Sequence, residues 1–134
     1  MSTLAERLSQ VHNRIESACQ LAARSPAEVE LTVVTKNHPA AMVIELAQLG
    51  QHHFGENRDQ EASTKAEEVS TVLDRNQAIW HFVGQLQTNK VKSVLGYASF
   101  IHSLDRASLL AELNKQLAKT PEKNIGVFIE LNLT

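Results

Sequence analysis

The chain has 134 residues, a formal net charge of −2 and a hydrophobic fraction of 43%, which suits one soluble domain over residues 1–134. This charge excludes a strongly basic nucleic-acid binder, and no apolar run approaches the roughly 20 residues of a membrane span. Cys19 is the only cysteine, so no internal disulfide can form, and we interpret it as a small packed residue. With no export signal, we expect a cytoplasmic protein.

Strand and helix patterns alternate after an N-terminal amphipathic helix. That helix begins at a T-x-x-E capping box, Thr3 to Glu6, and Gly50 is expected to end the second helix. The charges of the third helix are interpreted as a solvated outer face. In chain order the patterns predict a helix at 4–23, a strand at 31–35, a helix at 39–49, a strand at 51–54, a helix at 58–73, a strand at 78–83, a short helix from 88, a strand at 99–102, a helix from 105 and a strand at 125–133.

This alternation predicts an α/β fold with a parallel sheet and crossover helices. The last strand, at 125–133, is the most apolar, and a parallel strand of that kind needs cover on both faces. Two arrangements stay open: a five-stranded doubly wound domain, or the first part of a (β/α)8 barrel, which takes about 250 residues. The chain lacks the glycine motifs of dinucleotide-binding folds and P-loops, which disfavours both.

Each predicted strand ends in a polar residue, and parallel strands place these ends at one rim of the sheet. In parallel α/β folds ligands bind at that rim, although strand ends are commonly polar because loops are solvated. A lysine amine there can condense with an aldehyde to form a Schiff base once it has lost its proton. The strand-end residues are Lys36, Glu56-Asn57, Gln85, His102-Ser103 and Asn132.

The spacing of the histidines disfavours a metal site. His52 and His53 are adjacent, so on a strand they would point to opposite faces. The other candidates lie on different elements without ligand spacing, and they are His38, His81 and His102. No serine or cysteine stands in a recognisable nucleophilic triad. We therefore predict no metal site and no catalytic triad.

Five segments carry a family resemblance. They read T-V-V-T-K-N-H-P, A-Q-L-G-Q-H-H-F-G-E-N-R-D-Q-E, I-W-H-F-V-G-Q-L-Q-T-N-K-V-K, I-H-S-L-D-R and V-F-I-E-L-N, and they span almost the whole chain. F-G-E-N together with W-H-F-x-G-x-L-Q-x-N-K is the most specific part. In order and spacing the segments resemble the pyridoxal phosphate (PLP) homeostasis proteins of the YggS or PROSC type.

The resemblance implies the N-terminal portion, about five strands, of a PLP-binding TIM-type (β/α)8 barrel similar to the N-terminal domain of alanine racemase, with an extra N-terminal helix. It implies that Lys36 holds pyridoxal 5′-phosphate as an internal aldimine. Asn57, His81 and segment 84–90 match family positions and are expected to line or support the pocket. The family is known for intracellular PLP (vitamin B6) homeostasis and not for one catalysed reaction. Its full-length members are expected to be monomeric or weakly dimeric.

The chain departs from the family pattern in three places. Asn37-His38 stands where small or basic residues are usual, and Gln85 stands where His or Pro is frequent. Family chains also continue past Asn132 with three more strand–helix units, which supply the phosphate-binding groups and an arginine facing the pyridine nitrogen. A phosphate needs such N–H groups. We therefore expect a truncated barrel that binds PLP weakly and whose open sheet edges favour self-association.

Two other functions stay open on the sequence. One is a racemase-like or aldolase-like enzyme that forms a Schiff base at Lys36. The other is a small doubly wound regulatory module without a cofactor, which would be a stable, cooperatively folding monomer.

Overall fold

The computed structural model describes residues 1–133, in which five parallel strands alternate with helices. The helices are α1 (Leu4–Leu21), α2 (Ala40–Gln48), α3 (Asp59–Ser70), α4 (Val91–Leu95) and α5 (Ala107–Leu117). The strands are β1 (Val33–Val34), β2 (His53–Glu56), β3 (Ile79–Phe82), β4 (Ala98–Leu104) and β5 (Gly126–Ile129). Within the described residues no helix is both long and apolar enough to cross a membrane.

The strands pair in sequential order, β1-β2-β3-β4-β5, and every pairing is parallel. Sequential order with a helix between successive strands is the arrangement of a (β/α)8 barrel, whereas a doubly wound sheet reverses its strand order at a switch point. The sheet is therefore a five-strand arc of the barrel type. The doubly wound alternative is wrong because the strand order contains no reversal.

Helices cover one face of this sheet, which we call the outer face, and the opposite face is the inner face. The strand side chains buried under the helices on the outer face are Phe54, Trp80, Phe82 and Ile101. The inner face carries Val34, His53, His81, Phe100, His102 and Phe128. The core of the chain thus lies between the sheet and its helices.

Several local predictions are confirmed. Thr3 and Glu6 exchange side-chain to backbone hydrogen bonds as a reciprocal capping box at the start of α1. Gly50 follows α2 with a φ of +94°, the left-handed conformation that favours glycine after a helix. Cys19 is buried as a packed residue.

The two outermost strands are shorter and more exposed than the sequence predicts. Only Val33 and Val34 belong to β1, and Val34 is 47% exposed. In β5, Phe128 and Ile129 are 54% and 74% exposed. Apolar strands of this kind need cover on both faces, and within residues 1–133 helices cover the outer face alone.

Several element boundaries differ by one to three residues from the predicted ones, and two of the differences have a visible side-chain cause. β2 starts at His53, two residues later than predicted, because Gln51 precedes the strand and uses its side-chain amide to donate to the carbonyl oxygens of Leu31 and His53. α5 begins at Ala107, two residues later than predicted, with Arg106 as its N-cap, and the carboxylate of Asp105 accepts a hydrogen bond from the Arg106 guanidinium.

Candidate functional site

Lys36 lies two residues after β1, at the carboxyl-terminal rim of the sheet, where the sequence places it. Val34 is level with Gly55, so the same register places Lys36 level with Asn57. Because strand side chains alternate between faces and Val34 is on the inner face, Lys36 shares that face. Lys36 is exposed, and within residues 1–133 its amine makes no hydrogen bond or ion pair. The partial burial that a barrel mouth would provide is not found in these residues.

The residue before Lys36 is fixed by a buried charged side chain from α3. The Nζ of Lys65 donates a hydrogen bond to the carbonyl oxygen of Thr35 at 2.8 Å. The hydroxyl of Thr35, which is itself buried, donates to the carboxylate of Glu56 at the end of β2. Both the backbone and the side chain of Thr35 are therefore held from the outer face.

The residue after Lys36 is held by the same helix. Asn37 has a φ of +66°, a left-handed conformation that asparagine tolerates better than most residues. Its backbone N–H donates to Oε2 of Glu61 at 2.6 Å, and the same oxygen accepts from Nζ of Lys65 at 2.9 Å. The hydrogen bond from Lys65 lowers the pKa of Glu61 below its usual value of 4.5, and the Asn37 N–H adds to this effect. Asn37, one of the departures from the family pattern, thus suits the turn that follows Lys36.

Lys65 contradicts the interpretation of the α3 charges as a solvated outer face. Its ammonium lies 2.9 Å from Oε2 of Glu56, and the two side chains are 5% and 1% exposed. The second oxygen of Glu56, Oε1, is buried without a hydrogen-bond partner among residues 1–133. Two signals could have located Lys65: it follows Ala62 by three residues on the apolar stripe, and it follows Glu61 by four.

The ends of β2, β3 and β4 meet at a glycine. A Cβ atom on Gly84 would lie 2.6 Å from the carbonyl oxygen of Asn57 and 2.8 Å from its Cβ, so no larger residue fits without movement. The carbonyl oxygen of Gly84 accepts a hydrogen bond from the hydroxyl of Ser103 at 2.7 Å. The glycine of the W-H-F-x-G motif therefore brings Asn57 and Ser103, two predicted rim residues, to one place.

Other predicted rim residues lie apart from Lys36. Glu56 belongs to the outer face, Gln85 is exposed in the loop after β3, and Asn132 lies beyond β5. His81 lies within β3 on the inner face, level with Gly55 and so below the rim.

Three histidines form a row across the inner face. Nδ1 of His53 lies 2.8 Å from Nε2 of His81, and Nδ1 of His81 lies 2.9 Å from Nε2 of His102. Burial, followed by the neighbouring His102 and His53, lowers the pKa of His81 to about 4. Burial also lowers the pKa of His102. Sequence spacing could not reveal the row, because the register of parallel strands brings these residues together.

No family model matches the chain. The pyridoxal phosphate homeostasis protein of Mycobacterium leprae is 37% identical, over 98% of this chain and 55% of the relative. The protein of the same name from Pseudomonas aeruginosa is 41% identical over 98% of this chain and 56% of its own length. The one from Escherichia coli K12 is 36% identical over the whole chain and 56% of its own length.

Solved structures are also similar to this chain, over most of its length and about half of their own. PipY of Synechococcus elongatus PCC7942, determined with PLP bound, is 36% identical with a TM-score of 0.68, over 82% of this chain and 50% of PipY. The crystal structure of an unknown protein from Bifidobacterium adolescentis is 28% identical with a TM-score of 0.82, over 92% of this chain and 52% of its own.

Fold and site together define a barrel-type parallel α/β protein with an accessible lysine at the carboxyl-terminal end of its first strand. Its similarities in sequence and in structure agree on one group of proteins. Over nearly all of its length the chain is similar to pyridoxal phosphate homeostasis proteins, and it spans about half the length of the curated relatives that it matches.

Proposed function

We propose that this chain binds PLP through Lys36 and takes part in intracellular PLP (vitamin B6) homeostasis. The observation that carries the proposal is the position of Lys36 at the rim, in a chain 36% identical to a PipY determined with PLP bound. PLP supplies an aldehyde that a lysine amine can hold as a Schiff base. We propose residues 1–134 as one domain that contributes five strands to the barrel, and a cytoplasmic location stays a prediction.

The rim suits the aldehyde end of this ligand. The amine of Lys36 is exposed and unpaired within residues 1–133, so it is free to attack a carbonyl carbon. Its neighbours Thr35 and Asn37 are held by α3, which limits the positions that the amine can take. We assign Asn57, level with Lys36, a place in the pocket wall, and His81 a supporting place below it.

The same rim attracts the phosphate. Helices α2, α3 and α5 each follow a strand, so their N-termini lie at the carboxyl-terminal rim. Their N-cap residues, Pro39, Arg58 and Arg106, provide no side-chain cap. The first turn of α3 carries Asp59 and Glu61, so the backbone N–H groups and partial positive charge available to anions are those of α2 and α5. Because the chain spans about half of its relatives, we infer that further phosphate contacts come from the other half and that the 134-residue polypeptide binds PLP weakly.

A role without turnover is our preferred form of this proposal. The relatives are named for PLP homeostasis and not for a reaction. A racemase-like enzyme would convert an amino acid with PLP present, and the Lys36→Ala variant would lose that activity. Racemisation assays with the wild type and this variant separate the two functions. A homeostasis protein should show no Lys36-dependent turnover, so the wild type and the variant should give the same result.

The exposed strand β5 supports a proposal about association. Phe128 and Ile129 are more than half exposed, and β5 is an outermost strand of the sheet. An apolar edge strand of this kind pairs readily with another chain. We propose that the isolated polypeptide self-associates through β5.

Borohydride reduction in the presence of PLP tests the binding proposal. Reduction converts a Schiff base into a stable secondary amine, so the cofactor mass stays on the lysine that held it. The proposal expects that mass on the peptide with Lys36, and the exposed Lys92→Ala variant provides a matched control that keeps the labelling.

A further inference from the structure

Glu30, His53 and His81 bring three metal-ligating atoms together on the inner face. Oε1 of Glu30 lies 3.0 Å from Nδ1 of His53, and Nδ1 of His53 lies 2.8 Å from Nε2 of His81. All three atoms lie within 4.8 Å of one another. The three residues come from separate segments, the stretch before β1, the start of β2 and the middle of β3, so only the folded chain assembles the group.

Hydrogen bonds alone satisfy the three ligand atoms of Glu30, His53 and His81 poorly. Nδ1 of His53 faces two atoms at once, a carboxylate oxygen and a ring nitrogen. If that nitrogen carries a proton, both neighbours compete for it, and if it carries a lone pair, the lone pair faces the negative oxygen of Glu30. A cation removes the conflict, because it accepts lone pairs from all three atoms together.

The separations fit a small transition metal. Zinc binds imidazole nitrogen and carboxylate oxygen at about 2.0–2.2 Å, which places tetrahedral ligands roughly 3.3 Å apart. The separations of 3.0 Å between Glu30 and His53 and 2.8 Å between His53 and His81 lie slightly below that spacing, and the third is at most 4.8 Å, so modest rotations of the side chains bring the three atoms to it. Two histidines and one glutamate are also a recurrent zinc ligand set that leaves a fourth position for water.

His102 and Phe100 already orient His81, the buried ligand. Nδ1 of His81 lies 2.9 Å from Nε2 of His102, so it can donate its proton there and leave Nε2 free to bind a metal. Phe100 stacks on the His81 ring with centroids 4.5 Å apart and planes 10° apart, and Phe128 contacts His102.

We propose that Glu30, His53 and His81 form a binding site for a divalent transition metal, with Zn²⁺ as its best-fitting ion. The site lies below the rim that carries Lys36, since Glu30 precedes Lys36 by six residues, about 20 Å of extended chain, and His81 is the one residue assigned both to this site and to the PLP pocket. A bound ion ties the segment before β1 to β2 and β3, and it stabilises the folded chain by mass action. The prediction of no metal site from sequence spacing took no account of strand register.

Titration of the full chain with Zn²⁺ against a colorimetric chelator tests the proposal, in a buffer free of phosphate and PLP. We expect one Zn²⁺ per chain and a rise in melting temperature on Zn²⁺ addition. The Glu30→Gln and His53→Gln variants should lose at least about ten-fold in affinity. The side chains of Glu30 and His53 are 58% and 20% exposed, so both variants should keep the wild-type circular dichroism.

Matched controls are the exposed α1 variants Glu16→Gln and His12→Ala, which should bind Zn²⁺ as the wild type does. Co²⁺ substitution gives an independent readout, since four- or five-coordinate Co²⁺ absorbs visible light and the His53→Gln variant should lose that band. Absence of stoichiometric Zn²⁺ binding by the wild type would overturn the proposal. Equal affinity in the wild type and the two ligand variants would do so as well.

Discussion

Nζ of Lys65 donates a hydrogen bond to the carbonyl oxygen of Thr35 at 2.8 Å, so helix α3 holds the residue that directly precedes Lys36. The same ammonium binds Glu56 and Glu61, each at 2.9 Å. A single buried cation therefore joins the β1–α2 loop, the end of β2 and α3. The placement of Lys36 therefore rests on this contact as well as on the two-residue strand before it.

Replacing the buried cation should destabilise the fold strongly. In the Lys65→Met variant the carboxylates of Glu56 and Glu61 lose their shared partner, and we expect the free energy of unfolding to fall by about 3–5 kcal/mol. Urea denaturation measures the change. The exposed Lys92→Met variant on α4 is the control and should stay within about 0.5 kcal/mol of the wild type. Similar small changes in both variants would show that the network contributes little.

The lowered pKa of Glu61 predicts a loss of stability in acid. Its pKa in the folded state lies below the usual value of 4.5, so between the two values the unfolded chain binds more protons. The contribution of Glu61 is therefore complete above pH 4.5 and is lost as the pH falls through the folded-state pKa. Unfolding free energies across acidic pH should show the wild type and Glu61→Gln converging, whereas the exposed Glu67→Gln variant should follow the wild type. A constant gap between wild type and Glu61→Gln would contradict this assignment.

The glycine at the end of β3 should not tolerate a side chain. In Gly84→Ala the new Cβ meets backbone and Cβ atoms of Asn57 at 2.6 to 2.9 Å, and we expect a loss of about 1–3 kcal/mol. Gly96→Ala provides a comparison, since the nearest atom there is 3.1 Å away and belongs to Ser93. Thermal unfolding of both variants shows which substitution destabilises the fold more, and we expect it to be Gly84→Ala. If Gly96→Ala proves the more damaging change, the close approach of Asn57 is not as tight as described.

A single charged side chain on β5 should reduce self-association. In Ile129→Lys, a lysine replaces a side chain that is 74% exposed on an outermost strand, and charged residues oppose edge pairing. Sedimentation velocity should show smaller species than for the wild type. Leu110→Lys on α5, where the native side chain is 47% exposed, should leave the distribution unchanged. A strictly monomeric wild type would refute the association itself.

Local patterns predicted much of this molecule because they are encoded by neighbours in the chain. The capping box at Thr3, the turn at Gly50 and the position of Lys36 after a strand all follow from a few adjacent residues. The parallel sheet follows from the alternation of strand and helix patterns.

The sequence patterns could not predict features that depend on the register between strands or on which face of the sheet the helices cover. The row of His53, His81 and His102 forms because three strands align, and no spacing along the chain encodes that alignment. Lys65 was assigned to solvent because charge usually marks an exposed face, although its place on the apolar stripe indicated otherwise. The exposure of β5 arises because helices within residues 1–133 cover the outer face alone.

Peptide mapping after borohydride reduction decides whether Lys36 is the attachment residue for PLP. At low PLP excess, we expect a cofactor mass on the peptide with Lys36 that is lost in Lys36→Ala and kept in Lys92→Ala. Equal labelling of many lysines, or a labelled peptide without Lys36, would contradict it.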